Sequence, residues 1–89
     1  MKRYHIIVSG NVQGVSFRSF TVAHAIDLKI KGFVRNTEDD RVEIVAECEP
    51  EQFKKFIEKI KVGPRFSKVY DFVVKEESPT GEFSSFEQN

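Results

Sequence analysis

The sequence predicts an α+β sandwich in which two helices cover one face of an antiparallel sheet. Three observations predict it. Strand-like and helix-like stretches follow one another in the order β-α-β-β-α-β; both helical stretches carry apolar residues at helical spacing; and the strand-like runs are short, β-branched and bounded by turn residues. The 89 residues form one domain, 1–89, and 39% of them are hydrophobic. Nine are Phe, each large enough to bury considerable area.

The first strand runs from Tyr4 to Ser9 and stops at Gly10. Gly10-Asn11-Val12-Gln13-Gly14 is a loop with two positions free to take positive φ. Phe17, Phe20, Val22, Ala23, His24, Ala25 and Ile26 then give a broad apolar stripe, so a helix runs from Ser16 or Phe17 to about Lys29. His24 reads as a packing residue on that stripe, and His5, in the first strand, has no evident partner. Gly32 to Arg35 begins a second strand and Arg41 to Glu47 a third, joined as a hairpin through Thr37-Glu38-Asp39-Asp40. Pro50 suits the first position of a second helix, whose Phe53, Phe56, Ile57 and Ile60 fall at i, i+3, i+4 and i+7, and Gly63-Pro64 ends it. Val69 to Val74 is a fourth strand, and Phe83 to Phe86 is expected as a short fifth at an edge. The order is that of the split βαβ, ferredoxin-like βαββαβ sandwich.

Fourteen basic and fourteen acidic side chains cancel. That balance argues against a dedicated nucleic-acid or membrane-surface binder, which would carry a basic excess. No run approaches the roughly 20 apolar residues of a membrane span, and Ile6-Ile7-Val8 is too short for a signal-peptide core. Cys48 is the sole cysteine, so no internal disulfide forms; it reads as a packing residue in a cytoplasmic, monomeric protein. Seven carboxylates between Glu38 and Glu51 face only Arg41 and read as a solvated hairpin and helix start. Neither histidine belongs to a metal-ligand spacing.

The segment Gly10 to Arg18 carries the chemistry. A strand enters a glycine-bearing loop, and the loop enters a helix N-terminus, where unsatisfied N–H groups favour an anion. Arg18 lies in the first helical turn, where a cation opposes the macrodipole at a cost of about 0.3–1 kcal/mol. That placement makes sense if the guanidinium is aimed at an anion in the loop. On spacing alone, a plain turn followed by a solvated arginine is the commoner reading. Other phosphate motifs fit poorly: only three residues separate Gly10 from Gly14, with Val15 next, so neither a P-loop nor a dinucleotide fingerprint is present. No cysteine lies in the loop to act as a phosphatase thiolate, and Ser16 has no identifiable base.

Gly10-Asn11-Val12-Gln13-Gly14-Val15-Ser16-Phe17-Arg18 resembles the acylphosphatase signature G-x-V-Q-G-V-x-F-R, and Gly32-Phe33-Val34-Arg35-Asn36 resembles that family's G-[aromatic]-V-x-N. Arg41-Val42-Glu43, the Gly63-Pro64 stop and a Phe83-x-x-Phe86 ending extend the likeness over the whole chain. The resemblance implies hydrolysis of small acyl phosphates to carboxylate and inorganic phosphate, with phosphate as product inhibitor and without metal or cofactor. Asn11, Val12, Gln13, Gly14 and Val15 would cradle phosphate through backbone N–H groups. Arg18 would bind its oxygens, and Asn36 would orient the attacking water. The residue chemistry agrees: Arg18 is a planar fork able to hold two oxygens, and Asn36 offers both an acceptor and a donor. A carboxylate whose acid has a pKa of about 4 leaves without a general acid.

The sequence departs from that pattern at Asp39-Asp40, where the family has Asp-Gly, so Asp40 is expected at positive φ at a cost on the order of 1 kcal/mol. Cys48 stands where a glycine is common, and the chain runs three residues past Phe86, to Asn89. Two other readings are weaker. One is an acylphosphatase-like domain acting on carbamoyl phosphate; such domains begin much longer proteins, so a free-standing enzyme is expected. The other is an RNA-recognition module, suggested by Lys31-Gly32-Phe33-Val34, but this segment lies on the second strand and lacks the aromatics that should follow.

Overall fold

The computed structural model describes residues 1–14 and 16–89. Its elements are β1 (Lys2–Asn11), α1 (Phe17–Asp27), β2 (Lys31–Asn36), β3 (Val42–Cys48), α2 (Pro50–Val62), β4 (Lys68–Glu77) and β5 (Phe86–Gln88). The strands form one sheet in the order β4-β1-β3-β2-β5. β1 pairs antiparallel with both β3 and β4, and β2 pairs antiparallel with β3. The helices pack on one face, as in a ferredoxin-like α+β fold.

Strand alternation decides which side chains meet the helices. Tyr4, Ile6 and Val8 of β1, Val34 of β2, and Ile44 and Ala46 of β3 join Phe17 and Ala25 of α1 and Phe56, Ile57 and Ile60 of α2 in one core. Tyr4 stacks on Phe53 with ring centroids 3.8 Å apart. His24 is half-buried with its ring edge-on to Phe20, whereas Ile26, counted in the stripe, is 60% exposed.

Several boundaries differ from the expectation. β1 continues to Asn11 through an irregularity at Ser9/Gly10, where it still pairs with β4. Gly10 makes this possible, because a Cβ there would lie 2.1 Å from the Lys68 carbonyl oxygen. α1 ends at Asp27, not near Lys29. Lys29 adopts φ +60°, and bonds from Lys29 N to Ile26 O and from Ile30 N to Ala25 O close the end as a Schellman motif without glycine. In the β2–β3 turn, Asp40 has φ +64°, as expected. Asp39 pairs there with Arg41 and Thr37, which hold its carboxyl at about 2.

The fifth strand is the main correction. It spans Phe86–Gln88, not Phe83 to Phe86, and runs parallel to β2, with Gly32 opposite Phe86, so the sheet is mixed. Phe83 lies outside it and packs against Phe33 with centroids 5.9 Å apart. Only Phe86 enters the core, edge-on to Phe56.

The carboxylate run is not uniformly solvated. Glu47 is 3% exposed, and Glu43 bridges His5, at 2.6 Å, and Arg35. His5 therefore has a partner, two strands of sequence away. Burial alone would raise the Glu43 pKa, but the bonds from His5 and Arg35 more than offset it and the net direction is down.

Candidate active site

β1 and β2 run in the same direction on either side of β3, so the loop leaving β1 and the end of β2 lie at the same end of the sheet. Gln13 ties the two together: its Nε2 donates to Thr37 O at 3.1 Å and to Arg41 O at 2.8 Å, both in the β2–β3 turn. Val12 anchors the loop in the core at 1% exposure. Gly14 takes φ +74°, and a Cβ there would meet nothing within 4 Å, so its glycine answers to backbone conformation and not to crowding.

Ser16 precedes α1 at φ 63°, ψ 24°, a left-handed conformation that costs an L-residue about 1–2 kcal/mol. Its hydroxyl does not cap the helix, and the first turn carries no acidic residue. The first helical bond runs from Phe20 N to Ser16 O, so the amides of Phe17, Arg18 and Ser19 precede the ladder. Neither a side-chain cap nor a first-turn carboxylate thus offsets the positive partial charge at the N-terminus of α1.

A hollow of about 300 Å³ opens at this point. Gly14 and the α1 start from Ser16 to Ser19 form one side, Asn36 at the end of β2 another, and Val12 and Gln88 complete it. Of the residues singled out in the sequence, it brings together Val12, Gly14, Arg18 and Asn36. Asn11, exposed at the end of β1, and Gln13, occupied with the turn, are not in its wall. Val15 lies outside the described residues.

Arg18 is half-buried, and its Nη1 donates to Asn89 O at 2.8 Å, leaving other guanidinium donors for a ligand. Asn36 Oδ1 is buried with no hydrogen-bond partner among the described residues. Such an atom costs about 1–3 kcal/mol unless a ligand or water meets it. Gln88 was not anticipated. It reaches the hollow on β5, where its Oε1 accepts from Ser19 Oγ at 3.4 Å, and no spacing in the sequence points to a residue 69 positions after Ser19.

Among the described residues the wall contains one cation, hydroxyls and amides, but no His, Cys, Lys, Tyr or carboxylate. It can bind an anion and hold a water; it offers no general acid or base. Cys48 is no nucleophile for it: it is 2% exposed, and burial, helped by Glu49, pushes its thiol up to about 11. Among the described residues, no three His, Cys, Asp or Glu side chains gather in a way that could hold a metal ion.

Several known proteins match this chain over most of their length. The chain is 47% identical over 76 residues to the acylphosphatase of Bacillus subtilis, covering 85% of this chain and 84% of that one. It is 41% identical over 86 residues to the acylphosphatase of Methylococcus capsulatus, covering 97% and 94%. The crystal structure of acylphosphatase from Bacillus subtilis superposes with a TM-score of 0.96 at 42% identity, covering 100% of this chain and 99% of that one. The crystal structure of T. kodakarensis HypF, a much longer chain, also superposes over part of its length, with a TM-score of 0.87 at 36% identity, covering 100% of this chain and 12% of that one. The sequence model of the acylphosphatase family matches residues 4–88. With one hydrolase name attached to these full-length matches, the chain belongs to the acylphosphatase family.

Proposed function

We propose that this acylphosphatase cleaves the carboxyl–phosphate bond of small acyl phosphates by direct in-line attack of water, with no phosphoenzyme and no metal. Arg18 and the amides opening α1 bind the phosphoryl oxygens, and Asn36 holds the attacking water. The observation that carries this reading is the composition of the hollow. An anion-seeking helix start, a guanidinium and an amide oxygen without a hydrogen-bond partner share one wall, and no acid–base group lines it among the described residues.

Phosphoryl transfer needs mainly positioning and stabilisation of charge on the equatorial oxygens, which these groups supply. With no general acid among the described wall residues, the leaving group must depart unaided. A carboxylate does so, because its conjugate acid has a pKa of about 4; an alkoxide does not. Inorganic phosphate, made of the same oxygens, is then a product inhibitor. Residues 1–89 act as one monomeric domain in the cytoplasm, where a lone buried thiol stays reduced.

The test is hydrolysis of benzoyl phosphate by protein treated with chelator. Full activity, with no acid-stable phosphoenzyme in a quench, is expected; dependence on added divalent metal or a trapped phosphoprotein would overturn the mechanism. Carbamoyl phosphate is the second substrate to compare.

A further inference from the structure

Glu47 is a buried carboxylate that plays no part in the hollow, yet it is the anchor of the segment that completes it. The stretch 78–85 leaves β4 at one edge of the sheet, crosses the face opposite the helices and returns as β5 at the other edge. Midway, Glu47 of β3 accepts from Thr80 N at 2.8 Å, Thr80 Oγ1 at 3.1 Å and Gly81 N at 3.0 Å. Arg3 of β1 donates to Glu47 at 3.3 Å and to Glu82 at 2.9 Å, pairs with Glu77 of β4, and lies over the Phe83 ring at 5.5 Å. Beyond the anchor, Gly32 N bonds Ser85 O, and Asn89 N bonds Val34 O. The end of this path meets α1: Asn89 O accepts from Arg18, and Gln88 accepts from Ser19.

We propose that Glu47 is a positioning residue for phosphate binding, acting through the 78–85 crossing and β5 to set the orientation of the Arg18 guanidinium. This rests on the reading of Arg18 as the phosphate ligand. The physical argument is one of restraint. β5 has three residues and pairs on one side only, too little to fix its own end. The bonds to Glu47 are charge-assisted and buried, so they are the strongest polar restraint on the chain leading to it. Releasing them lets Gln88 and Asn89 shift, and Arg18 loses the acceptor that aims its fork. Asn36 sits on the β2–β3 hairpin and keeps its place, so binding should suffer more than the chemical step.

The experiment compares inhibition by inorganic phosphate and the kinetics of benzoyl phosphate in Glu47→Ala, Glu47→Gln and Arg18→Gln. In Glu47→Ala, the phosphate inhibition constant and KM should rise about tenfold while kcat changes less than about threefold. Glu47→Gln retains an uncharged carbonyl acceptor for the crossing and should recover most of the loss. A role confined to stability would lower the melting temperature and the active fraction without moving the inhibition constant, and an unchanged constant in folded Glu47→Ala overturns the proposal. Should Glu47→Ala not fold, Gly81→Ala decides. Its Cβ meets no atom within 4 Å, but its φ of +71° strains an alanine and loosens the anchored turn. A rise of about threefold supports the proposal and no rise overturns it. If Arg18→Gln itself leaves phosphate inhibition intact, the assignment of Arg18 fails instead.

Discussion

α2 begins with Glu49 in extended conformation, Pro50 at the first helical position, Glu51 at the second, and Gln52 accepting from the Glu49 N–H at 2.7 Å. α1 begins with Ser16 in left-handed conformation, no side-chain cap, and Arg18 at the position equivalent to Glu51. Each choice that stabilises one start is reversed at the other. An N-terminal cap contributes about 1 kcal/mol, and a first-turn charge of the right sign adds about 0.3–1 kcal/mol. One helix start is built for stability, with Gln52 also donating to Leu28 O at 2.8 Å and so fastening α2 to the end of α1. The other is left open, beside a hollow whose wall carries a guanidinium and an amide oxygen without a partner among the described residues. The difference between them fits the proposed phosphate site: a helix end is worth leaving unsatisfied only where something else satisfies it.

The comparison can be broken most severely at Asn36. Asn36→Ala should lower turnover of benzoyl phosphate by about 10²-fold or more, because the water loses its position, while phosphate still inhibits at its original concentration. Arg18→Gln comes next. Loss of charge-assisted bonds worth about 1.5–3 kcal/mol should weaken phosphate inhibition about 10- to 100-fold, with turnover falling alongside. At α2 the reverse pattern holds. Gln52→Ala should lower unfolding stability by about 1 kcal/mol, a shift in melting temperature of several degrees, and leave kcat and phosphate inhibition unchanged.

Two smaller effects sharpen the same division. Burial alone would raise the Glu47 pKa, but the Thr80 and Gly81 amides, the Thr80 hydroxyl and Arg3 bring it below the ordinary range. A carboxylate lowered on folding contributes stability that is present above its unfolded value of about 4.3 and lost as the pH falls through its folded value. Glu47→Gln should therefore flatten the acid side of a plot of stability against pH, measured by denaturant titration. Asp40→Gly, in a turn residue that does not line the hollow, should stabilise the fold by up to about 1 kcal/mol in denaturant titration with no change in turnover, since Asp40 holds φ +64°.

Local rules were enough to read much of this from the residues. Periodicity places both helices, turn chemistry places the β2–β3 hairpin, and the family resemblance, not spacing, pairs Arg18 with Asn36, which line one hollow. What escaped depends on partners distant in sequence. Glu47 looks like one more solvated carboxylate until a segment 33 positions later lays its amides over it. His5 gains Glu43 only through the β1–β3 register. Phe83 and Phe86 look alike as strand residues, but the crossing of the open face assigns one to Phe33 and the other to the core. Lys29 closes α1 in a conformation usually given to glycine, and no residue preference announces it. RNA recognition through the open sheet face finds no support for the same reason: β3 presents Glu43, Val45 and Glu47 where stacking aromatics would be needed, and Phe33 is engaged by Phe83.

Titration of inorganic phosphate into isotopically labelled protein, followed by backbone amide resonances, tests the open helix start directly. The account predicts saturable shifts concentrated at Gly14, Phe17, Arg18 and Ser19, with the Asn36 side-chain amide moving at the same concentrations and the first turn of α2 silent. Shifts spread evenly over surface lysines, with α1's first amides unmoved at concentrations that inhibit the enzyme, would contradict it.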